Sequence, residues 1–277
     1  MLILGIDTAT RVGSVGLVRA PLDAAVRIGQ EPGRITNGCV FLAELSREAG
    51  LAHATELLTL VDDCLAAAGA SLDEVECIAV STGPGSFTGL RVALATAKGL
   101  ALAGAIPVVG VATLEALAAT LVPTWLPPGS DPAAETAATL IAPCLDARKG
   151  EVYTATFVVR EPSWRDANPR LERLSPDAVR PPEAVADELR AAAGGQRRLL
   201  FLGDGAERYR AQILEPLGSS ASALSSAQGH PRGAIVARLG AGLLAANGPH
   251  ELATLVPFYA RASEAEIVRA RRDAKPA

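Results

Sequence analysis

Histidine is scarce in this chain of 277 residues, which holds only His53, His230 and His250. No two of them stand at HxxxH or HExxH spacing and no cysteine lies near one, which argues against a dedicated zinc or iron site. The same scarcity leaves no Ser/His/Asp set to assemble. Cysteine is sparse too. Cys39, Cys64, Cys77 and Cys144 stand singly, without CxxC spacing, as expected of unpaired thiols in a reducing cytoplasm. Aromatic residues make up 4% of the chain, too few for a base-stacking platform, and a net charge of −4 argues against gripping nucleic acid by charge alone. No apolar run reaches membrane-spanning length, because Arg91, Lys98 and Glu115 interrupt the best candidate. Met1-Leu-Ile-Leu-Gly-Ile-Asp7 enters a strand without a basic region and does not read as a signal peptide.

What the chain does have is concentrated between Val75 and Gly104. Cys77–Val80 is a short apolar run suited to a buried strand, and Gly83-Pro84-Gly85 is strong turn punctuation. Ser86 is a good N-cap for the helix that follows. Gly85 and Gly89 let another group approach the backbone, and the free N–H groups of a helix start suit an anion. The common nucleotide motifs are nevertheless absent. Gly89 is followed by Leu90-Arg91, not by the Lys-Ser/Thr of a Walker loop; Thr88 stands where GxGxxG needs glycine; Pro84 breaks a GxSxG elbow. On chemistry alone the segment reads equally as an anion-binding loop, with Gly83, Gly85, Ser86, Thr88 and Gly89 around the anion, and as a structural turn. From Leu90 to Ala103 the helix carries only Arg91, Thr96 and Lys98 as polar side chains, so it is expected to be covered on more than one side. Its cover is either its own chain or a partner.

Around this centre the pattern alternates between strands and helices. Leu2–Ile6, Gly13–Val18 and Phe41–Ser46 read as an antiparallel meander, with a long loop over 19–39. Asp7 and Thr8 close the first strand. Such a carboxylate either holds a hydrated cation beside a phosphate or merely hydrogen-bonds turn backbone. His53–Ala68 is an amphipathic helix stopped at Gly69, and His53 reads as an end-of-helix hydrogen-bonding residue. Ile106–Val111 is a strand, and Thr113–Leu121 a helix with Thr113 as its cap. A proline-rich break covers 121–138. Leu140–Leu145, a turn over Asp146–Gly150, and Glu151–Phe157 open the second half with another hairpin, a weak echo of the first. Residues 161–182 read as loop, Pro182–Ala193 and Ala234–Ala246 as helices, and Leu199–Leu202 as a strand ending in a Gly203–Gly205 turn. Residues 219–226 carry no signal. Pro257–Arg261 is an extended closing segment, and 264–277 a basic, solvated tail.

Four segments in order resemble the TsaB (YeaZ) family: Ile3-Leu-Gly-Ile-Asp-Thr-Ala-Thr10; Gly83-Pro-Gly-Ser-Phe-Thr-Gly-Leu-Arg91 with Ala97-Lys-Gly-Leu-Ala101; Asp146-Ala-Arg-Lys-Gly-Glu-Val-Tyr153; and Pro257-Phe-Tyr-Ala-Arg261. The resemblance implies an α/β fold of two RNase H-like lobes, that of the actin, Hsp70 and sugar-kinase (ASKHA) superfamily. It divides the chain into an N-terminal lobe over 1–112, a C-terminal lobe over 113–261 and a flexible tail over 262–277. It implies a cytoplasmic role in forming threonylcarbamoyladenosine (t6A) at adenosine 37 of ANN-decoding tRNAs, as a non-catalytic partner of TsaD. TsaE would dock on the pair, the chain would form a homodimer when TsaD is absent, and tRNA contact would be indirect. The partner face would lie on the two N-lobe helices, with Leu57, Leu58, Val61, Leu90, Leu94, Ala97, Leu100 and Ala101. TsaD-type proteins carry an HxxxH metal motif after the strand matching Ile106–Val108. Here that region reads Val109-Gly-Val-Ala-Thr-Leu114, with no histidine, so the resemblance implies no metal site of its own and weak ATP or ADP binding at most. The competing functions are an ASKHA kinase or ATPase using Asp7, Thr8 and the Gly83–Gly89 loop, with Asp146 as its one second-lobe acid, and, ranking last, a peptidase.

Overall fold

The computed structural model describes residues 1–21, 39–48, 54–121, 139–160, 170–193, 198–223 and 229–261. Most of the 19–39 loop, His53, residues 122–138 of the proline-rich break and the tail over 262–277 lie outside the described residues.

The first sheet takes β1 (Leu2–Asp7), β2 (Val12–Arg19), β3 (Val40–Glu48), β4 (Cys77–Gly83) and β5 (Val108–Ala112) in the order β3-β2-β1-β4-β5. The first three form the expected antiparallel meander, and β4 and β5 add in parallel. Side chains alternate across this sheet as the period of a strand requires. Leu2, Leu4 and Ile6 face one core with helices α1 (Ala54–Ala67) and α2 (Phe87–Gly104). Ile3, Cys77, Ala79, Val109 and Val111 face the other.

The second sheet repeats the plan. It uses β6 (Thr139–Asp146), β7 (Val152–Thr154), β8 (Phe157–Arg160), β9 (Arg170–Arg173), β10 (Ala178–Arg180), β11 (Arg198–Leu202) and β12 (Ala221–Ala223). β6 pairs antiparallel with β7 and β8 on one edge and parallel with β11 on the other, and β12 follows β11 in parallel. β9 and β10 continue outward from β8 and β7. If β7/β8 and β9/β10 are each taken as one broken strand, the order is again third, second, first, fourth, fifth. Two lobes of RNase H-like topology therefore stand where the sequence showed only a weak echo, and the α/β fold class follows from that connectivity. The second-lobe core lies under α4 (Pro182–Ala193), α5 (Asp204–Arg208) and α6 (Arg210–Leu214).

Several sequence expectations need correction. The strand expected over Glu151–Phe157 breaks at Ala155–Thr156. There Thr156 N–H donates to the Ser175 hydroxyl at 2.8 Å, and its carbonyl accepts from Leu174 N–H at 2.7 Å. The supposed loop over 161–182 holds β9 and β10, the blank stretch at 219–226 holds β12, and the Gly203–Gly205 turn leads directly into α5. Thr113 does not cap helix α3 (Thr113–Ala119) with its hydroxyl. It is the first helical residue, and the hydroxyl accepts a 3.0 Å bond from Gly83 N–H instead.

The largest correction concerns the lobe boundary. Helix α7 (Gly233–Asn247), assigned from sequence to the C-terminal lobe, covers the far face of the first sheet. Glycine makes this possible. A Cβ on Gly5 would lie 1.9 Å from the Gly233 carbonyl oxygen, and one on Gly16 would lie 2.1 Å from Ala234 N. Without those Cβ atoms the helix backbone rests almost on the strands. Helix α3 sits between the lobes. Its Ala116 and Ala119 join the α7 core, and Leu114, Leu117 and Ala118 join the second sheet.

Candidate functional site

The four sequence motifs converge on the ends of the central strands. Asp7 ends β1, and the Gly83–Gly89 loop joins β4 to α2 alongside it. Ser86 caps α2 as its sequence position suggests, its hydroxyl accepting from Gly89 N–H at 3.2 Å. Loop and turn interlock. Thr8 donates its hydroxyl to the Gly89 carbonyl at 2.6 Å, and Ser86 N–H donates to the Ala9 carbonyl at 2.7 Å. A Cβ on Gly85 would meet the Ala9 carbonyl oxygen at 2.6 Å. The glycines thus admit the chain's own 8–9 turn. The N–H groups of Gly83, Ser86 and Gly89 are all committed within the protein. Thr88 lies on the exposed side of the helix start.

Asp7 is fully buried, and burial pushes its carboxyl up to about 7, against the opposing pull of the neighbouring Ser81 hydroxyl and the Ala9 amide. Oδ2 accepts from Ala9 N–H at 3.2 Å, whereas Oδ1 and the buried Ser81 Oγ beside it complete no well-formed hydrogen bond. Asp7 ends β1 and Ser81 lies near the end of the adjacent parallel strand β4, so the first lobe closes on a buried carboxyl–hydroxyl pair whose carboxyl burial favours in its protonated form.

The second lobe has a corresponding pair. Asp146 ends β6, and its backbone N–H donates to Asp204 Oδ1 at 2.9 Å, Asp204 lying just past β11. Burial raises the Asp204 pKa, with Asp146 as a further like charge. Asp146 itself pairs with Arg208 at 3.1 Å and accepts from the Tyr209 hydroxyl at 3.2 Å. Sequence reasoning flagged Asp146 and missed Asp204 and Ser81. Ser81 near the end of β4 and Asp204 just past β11, the fourth strand of each lobe, were the available signal.

The closing segment was read as extended, and the structure gives it partners. Phe258 N–H donates to the Thr82 carbonyl at 2.7 Å. Gly83, at φ 122°, lies beneath the Phe258 carbonyl, where a Cβ would fall 2.4 Å from the oxygen. Arg91 Nε donates to the Tyr259 hydroxyl at 2.9 Å, and its guanidinium lies 3.7 Å over the Phe87 ring, a cation–π geometry. Neither Phe87 nor Tyr259 was singled out from the sequence.

The helices divide differently from the expected partner face. Leu57, Val61, Leu94, Ala97 and Ala101 belong to the first-lobe core, and Leu90 is buried as well. They lie beneath the surface of the free chain. Leu100 is half-buried against that core. Leu58 is 42% exposed. The solvent face of α2 is instead Phe87, Arg91, Ala95, Gly99 and Leu102, the last 73% exposed. A helix apolar on all sides gives no phase from sequence alone, which is why the two faces were confused.

Burial pushes the thiols of Cys77 and Cys144 up to about 12 and that of Cys64 up to about 11, so none of the three is a ready nucleophile. Among the described residues no cluster of three or more His, Cys, Asp or Glu side chains is arranged to hold a metal, and no helix is long and apolar enough to cross a membrane.

Comparison with known proteins adds a consistent set of likenesses. The family model for TsaD, tRNA N6-adenosine threonylcarbamoyltransferase, matches residues 46–268. The chain is 34% identical over 194 residues to the tRNA threonylcarbamoyladenosine biosynthesis protein TsaB of Escherichia coli, covering 70% of this chain and 68% of that protein. It is 29% identical over 266 residues to the TsaB of Bacillus subtilis, covering 96% of each. In structure it is similar to YeaZ from Pseudomonas aeruginosa, with a TM-score of 0.66 and 26% identity over 93% of this chain and 99% of that one.

Proposed function

Since the chain belongs to the TsaB family of tRNA threonylcarbamoyladenosine biosynthesis proteins, we propose that its part in that pathway is to bind and stabilise TsaD. It does so as a non-catalytic subunit, in the cytoplasm, with TsaE docking on the pair and self-association filling the same surface when TsaD is absent. The observation that carries this reading is the outward face of α2. Ala95 and Gly99 present almost no side chain, nothing lies within 4 Å of where a Gly99 Cβ would be, and exposed Leu102 and Phe87 flank them. Such a face lets a helix of another chain approach closely and bury apolar area. A stable complex needs roughly 1,200–2,000 Å² of total buried surface. Exposed Leu58 on neighbouring α1 extends the face towards that size.

The interlocked glycine loop supports the non-catalytic half of the proposal. The N–H groups of Gly83, Ser86 and Gly89 bond the Thr113 hydroxyl, the Ala9 carbonyl and the Ser86 hydroxyl, and the neighbouring acid, Asp7, is buried, with its carboxyl pushed up to about 7. Reconstitution tests the reading: threonylcarbamoylation of an ANN-decoding tRNA by TsaD, with an activated threonylcarbamoyl donor, TsaE and ATP, in the presence and absence of this chain. Strong stimulation by the chain supports it, and equal rates oppose it.

A second reading, an ASKHA kinase or ATPase, draws on the placement of Asp7 and Asp146 at the ends of the first strands of two like lobes. It requires the glycine loop to open. ATP turnover by the isolated chain, abolished by Asp7→Ala, would favour it over the partner role.

A further inference from the structure

The segment Val256–Arg261 touches both lobes, and its contacts form a continuous line. At one end Tyr259 receives Arg91 from the outward face of α2 and stacks against Phe87, ring centroids 5.1 Å apart. The residue before it, Phe258, is fixed to the β4 end by its N–H bond to Thr82 and by its carbonyl over Gly83. At the other end Arg261 donates to the Ala147 carbonyl at 3.1 Å and pairs with Glu151. Ala147 and Glu151 are the two ends of the β6–β7 turn, joined by Ala147 N–H to the Glu151 carbonyl at 2.9 Å. Within that turn Arg148 and Lys149 both hold positive φ, 62° and 56°, a conformation costly for residues with a Cβ and kept only where surroundings enforce it. Arg261 is one such surrounding group.

We infer that Val256–Arg261 is a latch coupling the outward face of α2 to the Asp146–Glu151 turn of the second lobe. Its contact on α2, Arg91, forms no ion pair with any described carboxylate. Aromatic rings and one hydroxyl hold it at the edge of the face assigned above to TsaD. A chain docking there meets Arg91 and Phe87, the two groups that position Tyr259. The extended segment carries the shift from Tyr259 to Arg261, and so to the turn bearing Asp146. Docking on one lobe thereby sets the order of the other. The coupling to docking rests on the partner reading, whereas the latch within the free chain does not.

Hydrogen exchange of the full chain, followed by mass spectrometry, tests both parts. In the free chain Arg261→Ala should speed exchange over 146–152 by about tenfold. Arg91→Ala should speed it at least about threefold, although among the described residues Arg91 is held by Phe87 and Tyr259 and not by the turn itself. The double variant should exchange no faster there than Arg261→Ala alone. Unchanged exchange in α1 shows that each variant is folded, and Tyr259→Phe, which removes a single hydroxyl, serves as a milder third variant. Wild-type exchange over 146–152 in both Arg91→Ala and Tyr259→Phe, or independent multiplicative effects in the double variant, overturns the latch. With TsaD bound, the same turn should slow in the wild type and not in Arg261→Ala. Bound TsaD without slowing overturns the coupling to docking. Failure of TsaD to bind at all defeats the partner reading, and the free-chain comparison still decides the latch.

Discussion

Thr8 donates its hydroxyl to the Gly89 carbonyl at 2.6 Å, and its own carbonyl oxygen lies where a Gly89 Cβ would be, only 1.9 Å away. The two residues lie in different motifs far apart in the chain. Their contact shows what the glycines are for: they let the β1 turn and the start of α2 share one space. A side chain at Gly89 has nowhere to go because backbone, not a flexible tip, occupies the position.

Gly89→Ala should therefore cost about 3 kcal/mol or more of unfolding free energy. Gly99→Ala, in the same helix but facing open space, should gain about 0.5–1 kcal/mol. Denaturant unfolding of both variants checks this. A Gly89→Ala cost below about 1 kcal/mol would mean that the clasp gives way easily.

The buried carboxyl of Asp7 makes a pH prediction. Its folded pKa of about 7 stands above its unfolded value near 3.8, so the folded state binds the proton more tightly. This group's contribution is most favourable below pH 4 and is lost as pH rises through 7. The difference in stability between Asp7→Asn and wild type should therefore swing towards the variant by roughly 4 kcal/mol from pH 4 to pH 8. Unfolding curves across that range measure it, and a difference that does not change with pH would show that Asp7 is not held in this way.

Ser14 anchors the start of α7. Its buried hydroxyl accepts from Gly233 N–H at 2.9 Å and from the Ser46 hydroxyl at 2.9 Å. Ser14→Ala should cost about 1–2 kcal/mol, with faster hydrogen exchange in the first turn of α7. A loss of stability without that local change would place the effect elsewhere.

Leu94 and Leu102 separate the core from the proposed docking face. Leu102→Glu adds a charge to an exposed position and should leave unfolding free energy within about 0.5 kcal/mol of wild type while weakening TsaD binding at least about tenfold. Leu94→Glu buries an unpaired charge and should prevent folding. Circular dichroism and titration calorimetry distinguish the two outcomes. Unimpaired TsaD binding by Leu102→Glu would move the interface off this face.

Much of the architecture was legible because local signals agreed. Ser86 as a cap, Gly69 as a stop at φ 63° and the exact span of α4 follow from short-range chemistry. The strands that escaped notice, β9, β10 and β12, run for three or four residues, too short to show a period. The return of α7 to the first sheet was hidden because its enabling glycines, Gly5 and Gly16 on one side and Gly233 on the other, meet only in space. The same limit misplaced Leu57, Val61, Leu94, Ala97 and Ala101. Their residue types fit either a core or an interface, and only the placement of the sheet decides between them. Asp7 and the glycine loop were found together, but their mutual interlock could not be read from two separate motifs.

The most direct test of the central claim is size-exclusion chromatography with light scattering on this chain, alone and mixed with TsaD from the same organism. The account predicts a new peak whose mass equals the sum of the two chains, formed by the wild type and lost or much reduced with the folded Leu102→Glu variant. Separate elution of the two proteins, unchanged by ATP and TsaE, would contradict it.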